Sequence, residues 1–132
     1  YRRLADSVVA TIVEWQPALI LIEGYSFGSK GAAVVTLGEY GGVLRNAIAS
    51  ATRKQFLEVP PTTLKKFVTG KGNADKTAMI TQIVKRWDVE FNTDDEYDAY
   101  GLCRLGACVL GLDGEATQAQ RGVAEALTKE HS

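Results

Sequence analysis

Apolar residues recur three to four positions apart at Leu4, Val8, Ile12 and Trp15, the period of one helix face, and Pro17 ends the pattern. The run Ala18-Leu-Ile-Leu-Ile-Glu23 is continuously apolar, as expected for a central strand covered on both faces, until it finishes in a carboxylate. Glycine, serine and lysine then mark an irregular loop over 24–37, and Val43, Ala47, Ile48 and Ala51 place a second helix over 38–52. Gln55 to Val59 reads as a second strand, closed by Pro60-Pro61. Thr62 or Thr63 can cap a short helix through Val68, and Thr69-Gly-Lys-Gly-Asn73 is a turn-rich loop.

A further helix starts near Ala74, with Met79, Ile80, Ile83, Val84 and Trp87 on its apolar face. Thr93-Asp-Asp-Glu96 forms a capping box, which predicts a helix from about Asp94 to Leu110. That helix is apolar nearly all round and is expected to be buried, with Asp98, Leu102, Leu105 and Val109 facing the core. A polar helix from Glu115 to about Lys129 closes the chain. Alternating strands and helices in 132 residues imply an α/β sandwich and a single domain, residues 1–132.

Composition narrows the class. Hydrophobic residues make up 45% and charged ones 23%, the balance of a globular protein rather than a disordered one. The longest apolar stretch, Pro17 to Ile22, falls far short of the roughly 20 residues a membrane helix needs, so a soluble, cytoplasmic protein without a membrane partner is expected. The one histidine is His131, which excludes a Ser-His-Asp triad or a Cys-His pair in the core, and catalysis must rely on carboxylates. Cys103 and Cys108, five apart, would leave different sides of a helix and are not expected to form a disulfide.

Net charge is only −1, but its distribution is uneven. From Arg53 to Trp87 there are eight basic residues against two acids; from Asp88 to Glu115 there are eight acids against Arg104. A basic block that can track a phosphate backbone thus precedes an acidic block that can collect divalent cations. Glu23 ends a buried strand, where open α/β sheets present functional groups, and a charged carboxylate there needs a partner or a task. Asp95 and Asp98, three apart, leave one helix face; facing a third carboxylate they can hold two Mg²⁺ ions about 4 Å apart for phosphodiester hydrolysis. Asp94 and Glu96 read instead as acids favoured by the positive helix end. Gly70 to Thr77 fails as a phosphate loop because Asp75 stands where a glycine is required. It remains a glycine loop opening a helix, with Lys65 and Lys76 around it to grip a phosphate.

Pro61-x-x-x-Lys65, Gly70-x-Gly72-x-Ala74-x-Lys76 and Asp95-x-x-Asp98-Ala99 together resemble the RuvC-type Holliday junction resolvases. Glu23 after Leu19-Ile-Leu-Ile22 looks like that family's strand-end catalytic glutamate, and the resemblance spans about Leu19 to Leu110. It implies a ribonuclease H-like fold, a three-layer α/β/α sandwich with a mixed central sheet. It also implies a homodimer that cuts four-way DNA junctions by paired symmetric nicks with Mg²⁺, for which Mn²⁺ can substitute. Glu23, Asp95 and Asp98 would be catalytic metal ligands, and Lys65 and Lys76 would hold phosphates, with Lys66 and Lys71 beside them in the basic block. Tyr25 and Phe27 would stack on unpaired bases, although the family's aromatic falls where this chain has Ser26.

The family's first strand also carries an aspartate that completes four carboxylates; this chain starts at Tyr1, and the expectation is that the first strands are absent from it. The modest charge and long loop suggest a divergent, bacteriophage branch acting in a bacterial or phage-infected cell. Two other functions stay open: a related nuclease that trims structured RNA, and a non-catalytic protein that binds branched DNA.

Overall fold

The computed structural model describes residues 2–24 and 56–130. Tyr25, Phe27, the 24–37 loop beyond its first residue and the 38–52 helix lie outside the described residues. Two compact units are present, residues 1–20 with 25–56, and residues 21–24 with 57–132.

In the first unit, α1 (Arg2–Trp15) follows the apolar period, with Ile12 buried and Val8 half-buried. Trp15, expected on the same stripe, is 76% exposed. It is the last helical residue: at Gln16 the backbone turns left-handed (φ 48°), and Pro17 prevents any continuation.

The second unit opens with β1 (Leu21–Glu23), which pairs in parallel with β2 (Leu57–Val59), Leu21 opposite Leu57 and Glu23 opposite Val59. β1 is shorter than the apolar run that begins at Ala18, while Gln55, where the second strand is expected to begin, lies outside the described residues. The Gly24 N–H extends the ladder by donating to the Val59 carbonyl at 2.7 Å, so Glu23 stands at the carboxyl end of the pair. Pro60 turns the chain directly into α2 (Pro61–Thr69). The cap is Pro60 rather than Thr62 or Thr63, because Pro61 occupies the first helical position, where its fixed φ and missing N–H carry no penalty. Gly70 ends α2 in a left-handed conformation (φ 88°), its N–H donating to the Lys66 carbonyl, a geometry in which a side chain would be strained.

Asp75 caps α3 (Lys76–Trp87) by accepting from the Ala78 N–H at 2.8 Å, which explains the acid that breaks the glycine pattern. The Thr93 hydroxyl caps α4 (Asp94–Val109): it accepts from the Glu96 N–H and donates to the Glu96 carboxylate, each at 3.2 Å. The last helix, α5 (Gln118–Glu130), begins later than its charge pattern suggests. Thr117 and Gln120 form a second capping box, unread in the sequence, and Gln120 Nε2 reaches the Phe67 carbonyl at 3.5 Å.

The core of this unit joins Val59 of β2, Leu64, Phe67 and Val68 of α2, Met79 and Ile83 of α3, Tyr97 and Leu105 of α4, and Leu127 of α5. Each fully buried large side chain contributes about 1.5–3 kcal/mol. α4 is not buried all round. Its buried positions are Tyr97, Gly101, Leu105 and Gly106, while Ala99 and Cys103 are exposed and Asp98 and Leu102 are half-buried. The expected stripe is therefore rotated by about one residue, because the Tyr97 ring fills the core and its hydroxyl accepts from the Phe91 N–H at 3.0 Å. Asp98 is left on the flank, open to solvent, which a carboxylate requires. Cys103 and Cys108 are both free thiols. Among the described residues no helix is long and apolar enough to cross a membrane.

Candidate active site

Three local features converge on one side of the second unit. The β1–β2 register carries Glu23 to the strand end, one residue before the chain becomes Gly24 and opposite the residue that leads into α2. Lys65 lies one turn into α2, half-buried, and its neighbour Leu64 is in the core. α4 packs against β1, α2 and α3. The contact with α2 is close because Gly101 has no side chain: a Cβ there would sit 3.2 Å from Val68 Cγ2 and 3.3 Å from Leu64 Cδ1. Asp98 is three residues before Gly101, on the adjoining face, so the same close approach draws it toward β1 and α2.

The electrostatics record that convergence. Burial pushes the Glu23 carboxyl above its ordinary value, the Asp98 and Asp95 charges raise it further, and the Lys65 ammonium opposes them. Burial likewise raises Asp98, followed by the charges of Asp95 and Asp94, with Lys76 and Lys65 acting against them. Glu23 and Asp98 come from elements more than seventy residues apart, yet each answers to Asp95 and to Lys65. Glu23 remains exposed at its surface, so the cluster is reachable from solvent.

Lys76, the first residue of α3, pairs with Asp94 at 3.4 Å, and its charge is felt at Asp98. Lys66 and Lys71 are exposed, on α2 and in the loop after it, and neither acts on the carboxylates. Asp94, read from sequence as helix decoration, thus belongs to the site's electrostatics. Its contact with Lys76 is tertiary, and the sequence holds no local signal for it.

An all-carboxylate donor set suits a hard divalent cation such as Mg²⁺, which prefers oxygen ligands. Mutual repulsion that raises proton affinity is also what a bound cation would relieve. By donor chemistry the residues fit such a group, although among the described residues no three Asp, Glu, His or Cys side chains are grouped closely enough to hold a metal ion as they stand. A cleft of about 600 Å³ lies elsewhere, at the C-terminal end of α4 against α5, lined by Cys108, Asp113, Arg121 and Glu125 among others. It contains none of the three carboxylates.

The family model described as crossover junction endodeoxyribonuclease RuvC matches residues 1–102. A curated protein of Cytophaga hutchinsonii named crossover junction endodeoxyribonuclease RuvC is 36% identical over 87 residues, 62% of this chain and 42% of that protein. The chain therefore spans under half the length of that relative. Among solved structures, Thermus thermophilus RuvC superposes with a TM-score of 0.59 at 16% identity, covering 79% of this chain and 68% of the other. That likeness establishes the fold class, an α/β fold of the ribonuclease H-like type.

Proposed function

Because this chain belongs to the RuvC family of crossover junction endodeoxyribonucleases, we propose that it is the nuclease domain, residues 1–132, of an enzyme that resolves four-way DNA junctions. The observation that carries this reading is the shared field of Glu23, Asp95, Asp98 and Lys65, assembled from β1, α4 and α2. Glu23, Asp95 and Asp98 would hold the divalent cation, Mg²⁺ or Mn²⁺ in its place. When bound, that cation supplies Lewis acidity and lowers the pKa of water at the scissile phosphate. Lys65 and Lys76 would bear on the backbone phosphates beside the cut, and exposed Lys66 and Lys71 would meet the strand further along. Tyr25 and Phe27 would stack on unpaired bases at the crossover. None of these residues is a nucleophile with a base partner, so hydrolysis proceeds without a covalent enzyme intermediate. A twofold dimer suits the substrate, since a junction presents two equivalent strands to two equivalent sites.

The test is incubation of the full-length protein and Mg²⁺ with a labelled synthetic four-way junction, beside a duplex of the same sequence. Paired symmetric nicks in the junction alone, abolished by chelator, are expected. Binding without cutting, with Mg²⁺ present, would favour a non-catalytic branched-DNA-binding protein.

A further inference from the structure

Lys76 opens α3 and Asp94 opens α4, and the ammonium lies 3.4 Å from Asp94 Oδ2. Both side chains are well exposed, 84% and 51%. Water screens such a pair, and holding two side chains in one geometry offsets much of the attraction, so the contact is readily exchanged. A lysine left alone would sample many rotamers of its long stem. Held by Asp94, it keeps its charge within reach of Asp98. A DNA phosphate offers the same ammonium charge-assisted acceptors and competes directly with the carboxylate.

We propose that Asp94 is a positioning residue for Lys76: it keeps the ammonium at the start of α4 in the DNA-free protein and yields it to a backbone phosphate when DNA docks. The proposal rests on the reading of Lys76 as a phosphate contact. It makes Asp94 a brake on affinity, because docking must break the Lys76–Asp94 pair. The plainer role of Asp94, an acid favoured at a helix N-terminus, does not involve Lys76 at all. General repulsion between Asp94 and DNA would not depend on Lys76 either. A double-mutant cycle separates these accounts.

The experiment measures the Kd of a labelled four-way junction, with chelator present so that no strand is cut, for the full-length protein and for Asp94→Asn, Asp94→Glu, Lys76→Gln and the Asp94→Asn/Lys76→Gln pair. Circular dichroism checks that each variant is folded. Lys76→Gln should weaken binding and lower the salt slope by about one. Asp94→Asn should tighten binding about two- to fivefold, the range an exposed pair allows. The same change in the Lys76→Gln background should leave Kd unaltered, and Asp94→Glu, which retains a carboxylate within reach, should restore the wild-type value. Equal tightening in both backgrounds, or weaker binding by Asp94→Asn, would overturn the proposal while leaving the phosphate role of Lys76 intact. An unchanged Kd and slope for Lys76→Gln would instead overturn that phosphate role, and the proposal with it.

Discussion

At Asp98, burial and the neighbouring Asp95 and Asp94 charges favour the protonated carboxyl, and Lys76 and Lys65 act against them. A carboxyl whose pKa is raised on folding binds protons better in the folded chain than in the unfolded one. Its contribution to stability therefore falls as pH rises through the window above its ordinary value of 3.8 and is most adverse at neutral pH. Asp98→Asn should accordingly raise the thermal midpoint at pH 7, with the gain fading near pH 3, where the native carboxyl is protonated in both states. Thermal melts at the two pH values check this, and a lower midpoint at pH 7 would contradict it. The same substitution should remove junction cleavage while sparing binding. Glu23→Gln should behave alike, since burial and Asp98 raise that carboxyl too.

Elements bring those charges together, and the decisive joint is between α2 and α4. With a Cβ at Gly101 already 3.2–3.3 Å from Val68 and Leu64, Gly101→Val must push the two helices apart. The expected cost is about 1–3 kcal/mol, read by urea denaturation. Cleavage should fall more than DNA affinity, because Asp98 moves away from Glu23 while Lys66, Lys71 and Lys76 stay exposed; equal losses in both would show that the joint only supports the fold. Other elements are legible in the sequence where the signal is local. Thr93 and Glu96 fulfil the capping box three residues apart, and the apolar face of α3 is the one its spacing predicts. Local chemistry was missed at two caps: the Thr117 and Gln120 box ahead of α5, where the charge pattern drew the start to Glu115, and the start of α2, where Pro61 takes the first helical position in place of a threonine cap. The orientation of α4 was not legible, because a helix apolar on most sides does not reveal which side packs; the Tyr97 hydroxyl and the space beside Gly101 decide it. The Lys76–Asp94 pair was illegible for a different reason, being a contact between helix starts eighteen residues apart.

Across the whole molecule, the order of strands and helices indicated the α/β class, while the separation of a basic block from an acidic one is the charge pattern on which the proposed DNA and cation contacts rest. Glu23 stands out because it breaks an apolar run, and Asp95 and Asp98 because they share a helix face; their mutual coupling needed the fold. If Lys65 stands at a phosphate, Lys65→Gln should reduce the salt slope of junction binding by about one while leaving the choice among junction sequences unaltered. An unchanged slope would remove Lys65 from the DNA. The most direct test of the central claim, that carboxylates from separate elements form one cleavage site, is the single-turnover rate of four-way junction cutting in Mg²⁺ for Glu23→Gln, with Kd measured in parallel. The account predicts a rate lower by a factor of about 100 or more with Kd within about threefold of wild type, as when a group acting in the transition state is lost. Cutting at the wild-type rate would contradict it.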